Sequence, residues 1–242
     1  MSQIAGGPAW LVLPTYNEAG NLEPIVARSL AQLPDGARVL VVDDASPDGT
    51  GAIADRLAAE RPDRVEVLHR SGKRGLGPAY IAGFRRALAA GAGLVLEMDA
   101  DFSHDPADLP RLLAAAEDAD LVIGSRYVPG GRVEAWSPSR RLLSRGGSAY
   151  ARHVLGLGVH DLTGGFKCFR REVLEAIDLD GVDSRGYAFQ VEMTYRAARC
   201  GFRLLEIPIV FHDRREGASK MTAAIAAEAA WRVPWLRYRR GP

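Results

Sequence analysis

The sequence predicts an α/β protein, a mostly parallel sheet with helices on both faces. Three observations carry this. Short β-branched or leucine-rich runs alternate with longer amphipathic or alanine-rich ones. The alternation is regular from about residue 10 to about residue 130. Polar, turn-forming stretches follow the first, second and fourth apolar runs, where an open α/β sheet presents the carboxyl ends of its strands to ligands.

In order, Trp10–Leu13 is apolar throughout and reads as a buried strand. Asn21–Leu33 has helical periodicity, with Pro24 placed in a first turn. Arg38–Val42 is the second strand, and the Ser46-Pro47-Asp48-Gly49 turn then leads past Thr50 into a helix over Gly51–Glu60. Val65–Leu68, Gly93–Met98 and Leu121–Ile123 complete the strands of this half, separated by helices over Pro78–Ala90 and Leu109–Ala116. Beyond residue 130 the pattern loosens. "RVEAWSPSRRLLSRGG" reads as a basic loop leading into a helix, "GGFKCFR" and "LLEIPIVF" as strands, and "YAFQVEMTYRAARCG" as a helix ending at Gly201.

The chain has 242 residues, 47% hydrophobic and 25% charged, which suits one soluble α/β domain. A formal net charge of +1 argues against nucleic acid as a partner. Cys168 and Cys200 show no metal-binding or disulfide spacing and read as thiols in a reducing compartment. "MSQIAGGPAW" lacks the basic flank and apolar core of a secretory signal, so a cytoplasmic location is expected. No stretch approaches the roughly 20 apolar residues of a membrane span, so any membrane association would be peripheral.

The chain contains no GxxxxGK[ST], and the glycines of "GKRGLG" do not make a dinucleotide fingerprint at the first strand-to-helix turn. Phosphate charge is then left to a metal ion and basic side chains. "MDADFSHDP" places Asp99 and Asp101 directly behind an apolar run. Two carboxylates this close repel unless a cation lies beside them, and Mg²⁺ or Mn²⁺ takes one or two protein carboxylates together with water and substrate phosphates. Ser103 is a candidate for a weaker ligand. The alternative is that both Asp residues cap turns.

Asp43-Asp44 closes the second strand. One carboxylate there suits a ribose hydroxyl or a base N–H, and the other suits the turn that follows. Tyr16 and Glu18 of "PTYNE" are able to stack on and hydrogen-bond to a base. Arg126, Arg140, Arg141, Arg145, Arg214, Arg215 and Lys220 supply positive charge; solvated surface is the competing reading for Arg140, Arg141 and Arg215.

Taken in order, "LPTYNE", "VVDDASPDGT", "GLGPAYIAGF", "MDADFSHDP", "GSRYVPGG", "DLTGGFK", "GYAFQVEM" and "DRREGASKM" resemble the polyprenyl-phosphate (dolichol-phosphate) mannose synthases, a branch of the family 2 glycosyltransferases with the Rossmann-like GT-A fold. The resemblance runs from about Leu11 to Met221. It implies one catalytic domain over residues 1–242, with a nucleotide-sugar half at about 10–130, an acceptor half at about 131–221 and a basic, aromatic tail at 222–242. It also implies that Pro14, Tyr16, Glu18, Val42 and Asp44 surround the guanosine of GDP-mannose, and that Asp99, Ala100 and Asp101 hold a divalent metal and the diphosphate. Arg126, Arg214 and Lys220 would meet phosphate. Some members carry Gln where this chain has Ser103. Many carry transmembrane helices absent here, so the chain resembles the type that works beside a separate membrane protein.

Inverting transfer to a hydroxyl needs a general base, yet the comparable stretch here reads Gln190-Val191-Glu192-Met193, without the acidic pair of many relatives. A phosphate monoester, with a second pKa near ~6, is its own nucleophile. The expected reaction is transfer of mannose to a polyprenyl monophosphate with inversion. The alternatives are another sugar, such as glucose from a UDP-sugar, and a non-catalytic nucleotide-sugar-binding subunit. Trp136 with Arg140, Arg141 and Arg145, and a tail with Trp231, Trp235, Tyr238 and its arginines, are expected at an anionic membrane surface. Pro234 argues against one long helix in that tail.

Overall fold

The computed structural model describes residues 7–184, 186–213 and 223–238. The first half runs β1 (Ala9–Thr15), α1 (Ala19–Gln32), β2 (Arg38–Asp43), α2 (Thr50–Glu60), β3 (Val65–His69), α3 (Leu76–Ala89) and β4 (Leu94–Glu97). A 3₁₀ turn at Pro106–Asp108 leads to α4 (Leu109–Ala115) and β5 (Leu121–Ser125). The second half runs β6 (Arg132–Val133), α5 (Pro138–Leu155), β7 (Lys167–Arg170), α6 (Arg171–Ala176), α7 (Gly186–Arg199), β8 (Leu204–Pro208), β9 (Val210–Phe211) and α8 (Ala223–Tyr238).

Seven strands form one sheet in the order β3-β2-β1-β4-β7-β5-β8. Its neighbours are parallel except at β7, which runs antiparallel to both β4 and β5. Successive strand residues point to opposite faces, and both faces are covered. Trp10, Val12, Leu40 and Val42 meet Tyr80 and Phe84 of α3, Phe189 and Met193 of α7, Leu155 of α5, and Val233 and Leu236 of α8. Leu11, Leu13, Val39 and Val41 meet Leu22 and Ile25 of α1, Leu57 of α2 and Leu112 of α4. This double coverage is why these strands are continuously apolar.

Two sequence expectations are corrected. "LLEIPIVF" is not one strand: β8 ends at Pro208, with a last bond from Ile209 N to the Ser125 carbonyl at 3.0 Å, and β9 pairs instead with β6 in a separate two-stranded sheet. Pro234 does not interrupt the tail, since α8 continues through it to Tyr238. The buried Val233 and Leu236 on either side hold that turn in place despite the lost backbone bond.

Candidate active site

A cleft of about 310 Å³ opens at the carboxyl ends of β1, β2 and β4. Its walls include Pro14, Tyr16, Glu18, Asp44, Lys73, Asp99, Ala100 and Asp101 on one side, and Arg126, Trp136, Arg140, Thr163, Gln190 and Phe211 on the other. Each of the three strand-end turns contains a non-glycine residue with left-handed backbone: Asn17, Ala45 and Phe102, at φ of 60°, 55° and 61°. Such a conformation is uncommon outside glycine and bends the chain sharply where the strand ends.

The Asp43-Asp44 pair divides its labour. Asp43 holds the turn, accepting from Thr15 Oγ1 at 3.0 Å, Ser46 N at 3.1 Å and Ser46 Oγ at 2.6 Å. Asp44 lines the cleft, paired with Arg70 and accepting from Arg74 N at 3.2 Å. Lys73 stands over the Tyr16 ring, 3.8 Å from its centroid. Lys73, Gly75 and Leu76 all belong to "GKRGLG", so a stretch without a nucleotide-binding fingerprint still walls the cleft. A lysine among glycines was the available signal.

Asp99 accepts from the Tyr80 hydroxyl at 3.1 Å. Burial, reinforced by Asp99, pushes the Tyr80 phenol well above its ordinary pKa, so it remains a donor. Asp101 accepts from Ser103 N at 3.0 Å. The Ser103 side chain is fully buried, its hydroxyl has no hydrogen-bond partner among the described residues, and it does not line the cleft. Ser103, expected as a weaker metal ligand, thus has its side chain turned inward and supports Asp101 through its backbone N–H, while His104 is the neighbour that reaches the wall. Among the described residues no group of three or more His, Cys, Asp and Glu is placed to hold a metal unaided. Two hard carboxylates at the cleft fit a Mg²⁺ or Mn²⁺ ion completed by water and substrate phosphate.

Val42, expected beside the nucleoside, does not form part of the cleft wall. Its side chain is fully buried against α3, next to Gly83, because strand alternation turns it into the core. Arg126 does line the cleft, bound to Asp161 through its backbone N–H at 3.0 Å, Nε at 2.7 Å and Nη2 at 2.6 Å. Nη2 also donates to Thr163 at 2.8 Å. Burial disfavours the guanidinium charge, but Asp161 more than restores it. Trp136 is buried, edge-on to Phe211 and covered by Arg140 at 4.0 Å, so it is a wall of the cleft and not an exposed membrane anchor. Arg214 and Lys220 lie outside the described residues.

Behind Asp99 and Asp101 sits a fully buried pair, Glu97 and Lys167, at 3.4 Å. Burial raises the Glu97 carboxyl and lowers the Lys167 ammonium, with each partner opposing the other's shift. Lys167 also donates to the Gln190 side chain and, at 3.2 Å, to its carbonyl. Gln190 is thereby tied to the strand that sits between the two halves of the sheet. Glu192, two residues on, points away: it accepts from Ser184 N at 3.1 Å and pairs with Arg196 at 2.7 Å.

Residues 10–178 match the family described as "Glycosyl transferase family 2". The chain belongs to glycosyl transferase family 2. Within that family it is 52% identical to a polyprenol monophosphomannose synthase of Mycolicibacterium smegmatis, over 92% of this chain and 84% of the relative. It is 53% identical to an undecaprenyl-phosphate mannosyltransferase of Micrococcus luteus, over 92% of this chain and 90% of that one. Among solved structures, glucosyl-3-phosphoglycerate synthase from Mycobacterium tuberculosis, in complex with Mn²⁺, UDP and glucosyl-3-phosphoglycerate, superposes with a TM-score of 0.69 at 22% identity. That match covers 96% of this chain and 80% of the other. A mannosyltransferase from Pyrobaculum calidifontis in complex with GDP-Man and Mn²⁺ gives 0.60 at 20% identity, covering 98% and 74%. The GT-A fold expected from the sequence is the fold of this family 2 chain.

Proposed function

We propose that this family 2 chain transfers mannose from GDP-mannose to a polyprenyl monophosphate, giving β-mannosyl phosphopolyprenol and GDP. The observation that carries the reading is Gln190. On α7, where the cleft meets a family 2 hydroxyl-acceptor relative's expected base, this chain presents a carboxamide that takes no proton, and Glu192 is buried against Arg196. An acceptor that is already an anion fits such a wall. The two relatives described above, at 52% and 53% identity, are named for polyprenol or undecaprenyl-phosphate mannosyl transfer.

In this reading Pro14, Tyr16, Glu18 and Asp44 take the nucleoside, while Asp99, Ala100 and Asp101 take the diphosphate and a Mg²⁺ or Mn²⁺ ion. That ion, when bound, would neutralise the departing diphosphate. Arg126, together with Arg214 and Lys220, screens the repulsion between acceptor phosphate and donor. A phosphate oxygen of the acceptor attacks the anomeric carbon as its bond to the diphosphate oxygen breaks; no proton is transferred. The whole chain would act as one catalytic domain, the first half holding the donor and the second the acceptor. It would work at the cytoplasmic face of the membrane, beside a membrane-anchoring partner and without nucleic acid. No helix among the described residues is long and apolar enough to cross a membrane.

The test is incubation with radiolabelled GDP-mannose, UDP-glucose or UDP-N-acetylglucosamine and a polyprenyl phosphate, followed by extraction into organic solvent. Mannose alone should move into lipid, and chelation with EDTA or Asp101→Asn should stop it. Label entering lipid from a UDP-sugar instead, or full activity in chelator, would overturn the reading.

A further inference from the structure

Lys167, the lysine of "DLTGGFK", is wholly buried in the middle of the sheet. An ammonium offers three protons and no lone pair, and three acceptors surround this one: Glu97 Oε1 at 3.4 Å, the Gln190 carbonyl at 3.2 Å and Gln190 Oε1. Glu97 is its direct partner across the antiparallel β4–β7 ladder and is equally buried. Burying such a pair gives little stability, because two well-packed apolar side chains of similar volume often do as well or better. The backbone ladder already joins β4 to β7. Neither Glu97 nor Lys167 lines the cleft.

Gln190 connects the pair to the site. It is 2% exposed and yet forms part of the cleft wall. Its Oε1 accepts from Lys167 and its Nε2 is turned towards Glu97. The ion pair thus decides which end of the carboxamide faces which way, a choice that packing leaves open because the two ends are nearly the same size. Gly165, also on the cleft wall, leaves the room: a Cβ there would stand 3.1 Å from Gln190 Nε2. Thr194 Oγ1 donates at 3.0 Å to the same Gln190 carbonyl that Lys167 reaches, so backbone and side chain are both pinned.

We propose that Lys167, held by Glu97, is a positioning residue for sugar transfer that fixes the Gln190 carboxamide on the acceptor side of the cleft. It touches no substrate and acts through Gln190. A displacement of about 1 Å in such a wall costs up to about a hundredfold in rate. The inference rests on the transfer reading above for the reaction it serves, but not for the contact itself.

Two measurements test it. The chain holds three glutamines, Gln3, Gln32 and Gln190, so in protein labelled with ¹⁵N-glutamine the Gln190 side-chain amide is assigned by its loss in Gln190→Ala. Its hydrogen exchange should be at least about tenfold faster in Glu97→Leu/Lys167→Met than in the wild type. That double variant removes both charges at once and should melt within about 5 °C of the wild type. Glu97→Gln, which keeps an acceptor for Lys167, should exchange within about threefold of the wild type. Unchanged exchange in the double variant would overturn the proposal whatever the activity, as would equally fast exchange in both variants. In the lipid-extraction assay, kcat of the double variant should fall at least about thirtyfold with the donor KM within about threefold, while Glu97→Gln keeps kcat within about fivefold. Added to Gln190→Ala, the double substitution should bring no further loss, since both act through one side chain. A fully active double variant, or losses that multiply in the Gln190→Ala background, would overturn the positioning role. The transfer reading fails in the wild type, by the sugar it moves; the positioning role fails in the ratio of variant to wild type for that sugar, and in the amide exchange, so the two failures are told apart.

Discussion

Asp161 receives three hydrogen bonds from Arg126, and the two side chains are almost wholly buried. Burial alone would raise the carboxyl pKa; the adjacent guanidinium and its bonds reverse this and hold it below the ordinary carboxylate value. The depressed folded pKa sets the sign: the pair's stabilisation is complete above the unfolded value near ~3.9 and is lost as pH falls through the lower folded value. Asp161→Asn should therefore cost about 3 kcal/mol at pH 7, because a buried guanidinium loses its counter-charge. In urea melts, the gap between variant and wild type should close in strong acid. Glu192→Gln should separate structure from chemistry: a loss of about 1–3 kcal/mol from the weakened Arg196 and Ser184 contacts, with sugar transfer below the unfolding range kept within about threefold. A folded Glu192→Gln protein with no transfer would overturn the self-activated acceptor. Tyr16, Asp44, Asp99 and Asp101 were legible in the sequence because strand-end position alone points them at the cleft. The Asp161 partner was not, since a contact between residues 126 and 161 leaves no periodic trace, and the inward turn of Ser103 was not, because a turn after a strand hides which side chains fold inward.

At the scale of elements, α3 lies so close to the sheet that a Cβ on Gly83 would stand 2.4 Å from Val12 Cγ1 and 3.1 Å from Val42 Cγ2. Close packing there leaves no room for even a methyl group. Gly83→Ala should destabilise by about 1–3 kcal/mol through overpacking, read as a lower denaturant midpoint with an unchanged slope. An unchanged midpoint would mean that α3 shifts freely, taking Tyr80 and its bond to Asp99 with it. The helices and strands of the first half were readable because each apolar run serves a doubly covered sheet and each connection is short. The second half was harder for identifiable reasons. β6 and β9 have two residues each, too few to show a period, and Pro208 separates two strands inside one apolar run. Pro234 read as a helix breaker, but flanking burial outweighed one missing backbone bond.

Across the whole molecule, the strands that carry the two walls of the cleft share one sheet because β7 inserts between β4 and β5. β5 has only β7 and β8 as neighbours, so residues 1–130 alone contain a strand with no partner and leave one edge of β4 bare. A fragment ending at residue 130 should therefore aggregate or remain partly unfolded, detectable by light scattering and by poor amide protection in its fourth strand. A monomeric, cooperatively melting fragment would contradict the topology. The same insertion also constrains the protein's birth. On the ribosome, β1 to β4 emerge well before Lys167, and the fourth strand must wait for about seventy residues of further synthesis before its second neighbour arrives. A slow stretch of translation in that interval would prolong the exposure of a sticky edge, whereas one placed after Arg170 has left the exit tunnel would give the sheet time to close.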